Sequence, residues 1–208
     1  MINILNLQLI INKEKTFRRL HIEENSETHK NADSNFDELC SIIQDNMKLT
    51  VVYKVAEGLI FDEASDYESS VICFVSSEDD ISEISGRMMS EGNYLNGYLL
   101  YEFAMDAIFN ASNELNNIIK QEAAKKGFKL SKRFTPGDGM LSLNKQKVLL
   151  DVLKKEVKVN ADLNEANIMI PENTLLYVFG LKKDFDDGDY FSNCSLCESI
   201  NCQYRDMK

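Results

Sequence analysis

The sequence has two prolines, Pro136 and Pro171, and nine glycines, and neither residue gathers into a linker. Nothing in it marks a boundary between tethered domains, and no internal repeat marks a solenoid. Long apolar runs are missing too. None approaches the roughly 18 residues that a membrane-spanning helix needs. The opening MINILNLQLI is apolar in part, but no basic region precedes it and no small-residue cleavage site follows. A signal peptide is therefore not expected, and the chain reads as cytoplasmic. Basic residues are scarce: 23 Lys and Arg stand against 34 Asp and Glu, a formal net charge of -11. Such a surface favours solubility and repels phosphate backbones, which argues against nucleic acid as a partner. The two histidines, His21 and His29, lie in a polar region with no partner at ligand spacing, and no function is assigned to them.

What is present is ordinary globular usage, 44% hydrophobic and 27% charged over 208 residues, enough for a substantial core. Cysteine is the exception. The five residues Cys40, Cys73, Cys194, Cys197 and Cys202 are an odd number without a secretion signal, which argues against a disulfide framework. Cys73, inside the apolar run Ser70–Val75, and Cys40, at the end of an apolar stripe, read as buried small hydrophobes. The other three fall within nine residues near the C-terminus. Their spacing is close enough to wrap one metal centre, and thiolates select zinc or an iron–sulfur cluster. Either centre ordinarily takes four ligands, so a fourth would have to come from elsewhere, Cys40 or Cys73 included. A thiol pair cycling through a disulfide is the remaining option.

Patterning predicts an opening strand within Asn3–Ile11, a polar loop over Glu23–Asn35, and an amphipathic helix over Phe36–Met47. Strands follow at Leu49–Val55 and Val71–Val75. The longest helical pattern runs from Tyr98 to Lys126, with an apolar stripe from Leu99 to Ile119 and Gly127 at the stop position. At about 1.5 Å per residue it would cross a domain of this size. Glu102 and Asp106, four apart on that helix, read as a solvated face. Arg133–Gly139 reads as a loop, followed by a helix that Ser142 caps and that buries Val148, Leu149, Val152 and Leu153. Asn167–Ile170 and Thr174–Phe179 flank a turn at Pro171–Asn173 and read as a hairpin. The acidic run Asp184–Asp189 lacks the closing glutamate of a calcium loop and reads as a solvated turn. Without a strict βαβ rhythm, the fold class is α+β: a single domain with a largely antiparallel sheet packed with a long central helix. It occupies 1–190, and 191–208 form a cysteine-rich tail.

Three stretches in order carry a family resemblance: Arg133-Phe-Thr-Pro-Gly-Asp-Gly139 with Ser142-Leu143 and Gln146-Lys147; Leu163 to Asn173, with Met169 and Pro171; and the close Cys194-x-x-Cys197 then Cys202-Gln-Tyr204-Arg205. Together they resemble the free-standing relatives of the activation domain of cobalamin-dependent methionine synthase, over roughly Val71–Arg205. The resemblance implies a module that binds S-adenosylmethionine and presents its methyl group to the cobalt of a corrinoid, trapping Co(I) as it forms. No general base or nucleophile is then required, in keeping with the lack of an obvious catalytic dyad; at most the chain is part of a methyltransferase system. By position Arg133 matches the family arginine that pairs with the ligand's carboxylate, and Thr135, Gly137 and Asp138 complete the binding loop. A guanidinium can grip a carboxylate through two parallel hydrogen bonds. Pro136-Gly137 fixes one bend and leaves the next position free of Cβ, so that a flat ligand can come close. Where the family has a tyrosine, this chain has Asp138. Beside a sulfonium that carboxylate is compatible with binding; beside the ligand's carboxylate it opposes it.

The leading expectation is thus an accessory module for reductive reactivation of a methionine synthase lacking this domain, or of a related corrinoid protein. The bend after Arg133 and the Pro171 segment would then wall one shallow cleft. An electron-donor protein is a further possible partner. The alternative is a corrinoid-protein adaptor or electron relay acting through metal at Cys194, Cys197 and Cys202, without S-adenosylmethionine. A third reading, a structural protein with a zinc-stapled end, stays open from the residues alone.

Overall fold

A computed structural model of the chain describes residues 2–57, 67–138 and 141–183. The acidic run after Lys183, Gly139 and the tail cysteines Cys194, Cys197 and Cys202 lie outside the described residues. In chain order the elements are β1 (Ile2–Leu5), α1 (Lys13–Arg19), α2 (Glu27–Asn46), β2 (Met47–Glu57), β3 (Ser69–Asp79), α3 (Ile81–Ser90) and α4 (Tyr94–Lys125). They continue with β4 (Lys129–Phe134), α5 (Lys145–Lys154), β5 (Asp162–Leu163), β6 (Met169–Ile170) and β7 (Thr174–Lys182). The architecture is α+β: a five-stranded sheet in the order β1-β2-β3-β7-β4, a two-stranded β5-β6 ribbon and a long helix. No helix among the described residues is long and apolar enough to cross a membrane.

The described residues fall into two compact units that interleave along the chain. Of the described residues, the first takes 2–6, 50–57, 67–76, 112–138 and 141–183. Its centre is β7, antiparallel to β3 on one side and to β4 on the other. Because side chains alternate along a strand, β3, β7 and β4 sort their residues onto two faces. Ile72, Phe74, Leu176, Val178 and Phe134 take one face. They join Leu149, Leu150 and Leu153 of α5, together with Leu141 and Met169, in one buried apolar cluster. The opposite face carries Cys73, Tyr177 and Phe179, all buried. There the second half of α4 is tied to the sheet by hydrogen bonds from Tyr53 to Glu122 (2.7 Å) and from Tyr177 to Asn116 (2.7 Å).

Helix α4 begins four residues before the sequence pattern suggests and ends as that pattern predicts. Gly127 adopts φ +75°, a left-handed conformation that costs a glycine nothing, and Phe128 N donates to Ala123 O at 2.9 Å. The α5 stripe differs from expectation. Leu149, Leu150 and Leu153 are buried, Val152 is half-buried and Val148 is 43% exposed. Ser142 does not cap the helix through its side chain; its carbonyl accepts from Lys145 N at 3.0 Å, and Asn144 holds the cap position. The expected hairpin around Pro171 is also corrected. β6 pairs with β5, whereas β7 belongs to the large sheet. The reverse turn lies at Asn164–Ile168, where Asn164 Oδ1 accepts from the backbone N–H groups of Ala166 and Ile168, both at 2.9 Å. Asn167 supplies the left-handed residue, φ 59°.

The second unit, Leu7–Leu49 with Ser77–Ala111, is helical apart from strand ends. Helix α2 extends through the segment expected to be a loop. Ser26 Oγ accepts from His29 N at 3.0 Å and starts the helix, while only Ala32, Leu39 and Ile43 of its twenty residues are buried. A stripe that narrow leaves its first half polar, hiding the helix from a periodicity argument. Helix α1 also lay beyond the pattern. Asn12 Oδ1 caps it by accepting from Lys15 N at 2.9 Å, and Phe17 inserts toward Phe103, ring centres 6.2 Å apart.

This helix corrects the reading of Glu102 and Asp106 as solvated. Each is 5% exposed. Glu102 accepts from the Arg19 guanidinium, and Asp106 Oδ2 accepts from Asn12 N (2.8 Å) and Asn110 Nδ2 (2.9 Å). Buried carboxylates are tolerated because each is hydrogen-bonded, in the case of Glu102 by an opposite charge. Replacing Glu102 by Ala removes that charge while Arg19 stays buried. We expect urea denaturation to show a loss of about 3–5 kcal/mol, larger than for an ordinary surface ion pair.

Candidate functional site

Arg133 stands at the end of a strand. The sequence reading placed it in a loop, yet it pairs in register with Phe179 of β7, and Phe134 with Val178. The register shifts between Leu130 and Arg133, a bulge in β4. There the Ser131 hydroxyl accepts from Gly180 N at 2.7 Å, in place of a backbone carbonyl. A bulge turns the following side chains relative to the sheet. Here it accompanies an Arg133 that lies over the ring of Tyr177, its guanidinium carbon 3.7 Å from the ring centroid.

Tyr177 is fully buried, so its hydroxyl must be hydrogen-bonded. It donates to Asn116 Oδ1 and lies 2.9 Å from Ser112 Oγ, both on α4. Burial pushes its phenol well above the ordinary range, so the ring stays neutral and offers Arg133 a π-face. Burial also draws the Arg133 guanidinium below its ordinary value, while Tyr177, Cys73 and, least of the three, the Asp138 carboxylate pull the other way. Sequence reasoning missed Tyr177. The available signal was a phenol among Leu, Val and Phe in a strand, which requires a partner.

Beyond Arg133 the chain makes a tight turn. Asp138 N donates to Thr135 O at 3.1 Å, with Pro136 and Gly137 at the corners and Gly137 at φ +93°. This is the type II arrangement, in which proline presets the first corner and glycine takes the positive φ of the second. The Asp138 carboxylate accepts from Thr135 N at 3.0 Å, and Thr135 Oγ1 accepts from Arg133 Nε at 3.1 Å. Gly137 N then donates to Leu141 O at 2.7 Å. All four expected binding residues, Arg133, Thr135, Gly137 and Asp138, therefore sit on one strand end and one turn. The second expected wall shares their foundation, since Met169 of β6 packs in the same cluster as Phe134 and Leu141. An open depression lined by Lys154, Glu156, Val157, Lys158 and Val159 includes none of the four.

The metal expectation falls on residues outside the described ones. Among the described residues no group of three or more His, Cys, Asp or Glu is arranged to hold a metal. Cys73 is wholly buried in the sheet, with its thiol pushed up by burial, so as it stands it presents no surface to a metal ion. Cys40, expected to be buried, is half-buried on α2, and burial together with Asp37 pushes its thiol up to about 11.

No protein-family model matches the sequence, and neither does any curated protein. Among solved structures, the fold matches the crystal structure of the MetH reactivation domain bound to AdoHcy with a TM-score of 0.65. The match covers 89% of this chain and 80% of that one at 8% sequence identity. The chain therefore has the reactivation-domain fold, as its sequence motifs led us to expect.

Replacing Tyr177 by Phe should keep the fold and the ring under Arg133. It strips Asn116 and Ser112 of a buried hydroxyl partner, and we expect a loss of about 1–3 kcal/mol in denaturant unfolding with an unchanged far-ultraviolet spectrum.

Proposed function

We propose that this chain binds S-adenosylmethionine at the Arg133–Asp138 turn and serves the reductive reactivation of a cobalamin-dependent methionine synthase or related corrinoid protein in the cytoplasm. The observation that carries the reading is the guanidinium of Arg133, held over the Tyr177 ring beside a type II turn, in a chain sharing its fold with a reactivation domain crystallised with AdoHcy. S-adenosylmethionine, when bound, supplies the methyl group; the protein's part is to bind and orient. Arg133 takes the methionyl carboxylate, a role suited to a guanidinium whose direction is already set by stacking and by Thr135. The backbone of Thr135–Gly137 borders the adenine, and the Cβ-less corner at Gly137 lets a flat ring approach. Asp138 closes the turn.

In this reading residues 1–190 form the binding body, and 191–208 form a tail whose Cys194, Cys197 and Cys202 hold zinc or an iron–sulfur cluster. The partner is a corrinoid protein or a methionine synthase without its own reactivation domain, with a separate electron donor. The tail supports a second reading, an adaptor or electron relay that works through the thiolates without S-adenosylmethionine. Three thiols within nine residues are its motivation.

Calorimetric titration of S-adenosylhomocysteine and S-adenosylmethionine separates the two. We expect saturable binding by the full chain, weakened roughly ten- to hundredfold by Arg133→Ala, as for a lost charged hydrogen bond. Absence of binding by the wild-type protein removes the first reading, and an unchanged affinity in the variant removes Arg133 from it. Metal analysis of anaerobically purified protein tests the tail. Stoichiometric iron with visible absorbance is expected for a cluster, and colourless protein with stoichiometric zinc for a staple. Metal-free protein excludes both.

A further inference from the structure

One side chain of the turn carries a charge that the resemblance does not account for. Thr135 links it to the arginine: its backbone N–H donates to Asp138 Oδ2 (3.0 Å), and its hydroxyl accepts from Arg133 Nε (3.1 Å). Guanidinium and carboxylate are thus fastened to the same residue, with Asp138 exposed and Arg133 half-buried. Burial disfavours the charged form of Arg133; Tyr177, Cys73 and, with the smallest share, Asp138 oppose it.

We propose that Asp138 is the built-in counter-ion of Arg133, a carboxylate of the chain itself that neutralises the arginine and that a ligand's carboxylate must compete with. The inference rests on the function proposed above and assigns the selectivity of that site. Asp138 weakens the hold on ligands whose anchoring group is anionic, and it leaves ligands without that group unaffected. A resident carboxylate near the guanidinium lowers the electrostatic gain of bringing in a second one.

Asp138→Asn isolates the charge, because the amide oxygen still accepts from Thr135 N and the turn is retained. Two nucleosides serve as probes: S-adenosylhomocysteine, and 5′-methylthioadenosine, which lacks the amino-acid end. We expect Asp138→Asn to raise the affinity for the first about tenfold, the size of one partly solvated like charge removed, and to leave the second unchanged. An unchanged or lowered affinity for S-adenosylhomocysteine overturns the inference, and so does an equal gain for both probes.

Should neither protein bind either nucleoside, the proposed function is lost, and the inference is still tested without ligand by nuclear magnetic resonance of the Arg133 Nε–H group. Its signal is identified by its disappearance in Arg133→Lys. Asp138→Asn should move that signal and speed its exchange with water, and Asp138→Glu should restore it. A signal indifferent to Asp138→Asn overturns the pairing.

Discussion

The hydroxyl of Tyr177 is the constraint on which the candidate site depends. A phenol enclosed between sheet and helix loses its water, and leaving it without a partner is costly. Asn116 and Ser112 of α4 supply the partners, so the helix is pinned to the central strand at one height and one rotation. The ring fixed in this way becomes the bed for Arg133, whose planar cation settles on the π-face at 3.7 Å. The arginine at the sheet margin thereby inherits its position from a hydrogen bond made in the core.

A related device holds the helical unit. Glu102 and Asp106 sit, almost wholly buried, on the first half of α4, and α1 answers them with the Arg19 guanidinium and the backbone N–H of Asn12. Such pairs contribute little net stability over a well-packed apolar replacement, but they penalise any arrangement in which the partners fail to meet. Their effect is to specify where a seven-residue helix docks. In both units a polar group on α4 selects the position of a neighbouring element, while the apolar stripe supplies the bulk of the burial.

The turn from Thr135 to Asp138 shows the same economy at the surface. Proline and glycine set its two corners, and the Asp138 carboxylate closes it on the N–H of Thr135. In the resembling family a tyrosine stands at this position. Its replacement by a carboxylate trades an aromatic surface for a hydrogen-bonded charge beside the arginine.

Periodicity was enough for α4 and its stop at Gly127, and for strands β3 and β7. Each carries a long apolar pattern that only one secondary structure can bury, so local physics already selects the answer. The order of the Arg133, Pro171 and Cys194–Cys202 motifs likewise pointed to the reactivation-domain fold from residues alone. Other features were decided only by contacts distant in sequence. Glu102 and Asp106 are buried where α1 brings them Arg19 and the Asn12 N–H, partners more than eighty residues away in sequence. The early turns of α2 are helical because Ser26 caps them and a narrow apolar stripe suffices. β6 pairs with β5, and not with β7, because Asn164 closes the nearer turn while β7 is claimed on both sides by β3 and β4. Arg133 belongs to a strand because β7 offers a free edge on which β4 can pair. Patterns within one segment are set by its own residues, whereas burial of a charge and choice of a strand partner are settled by whatever else the chain brings there.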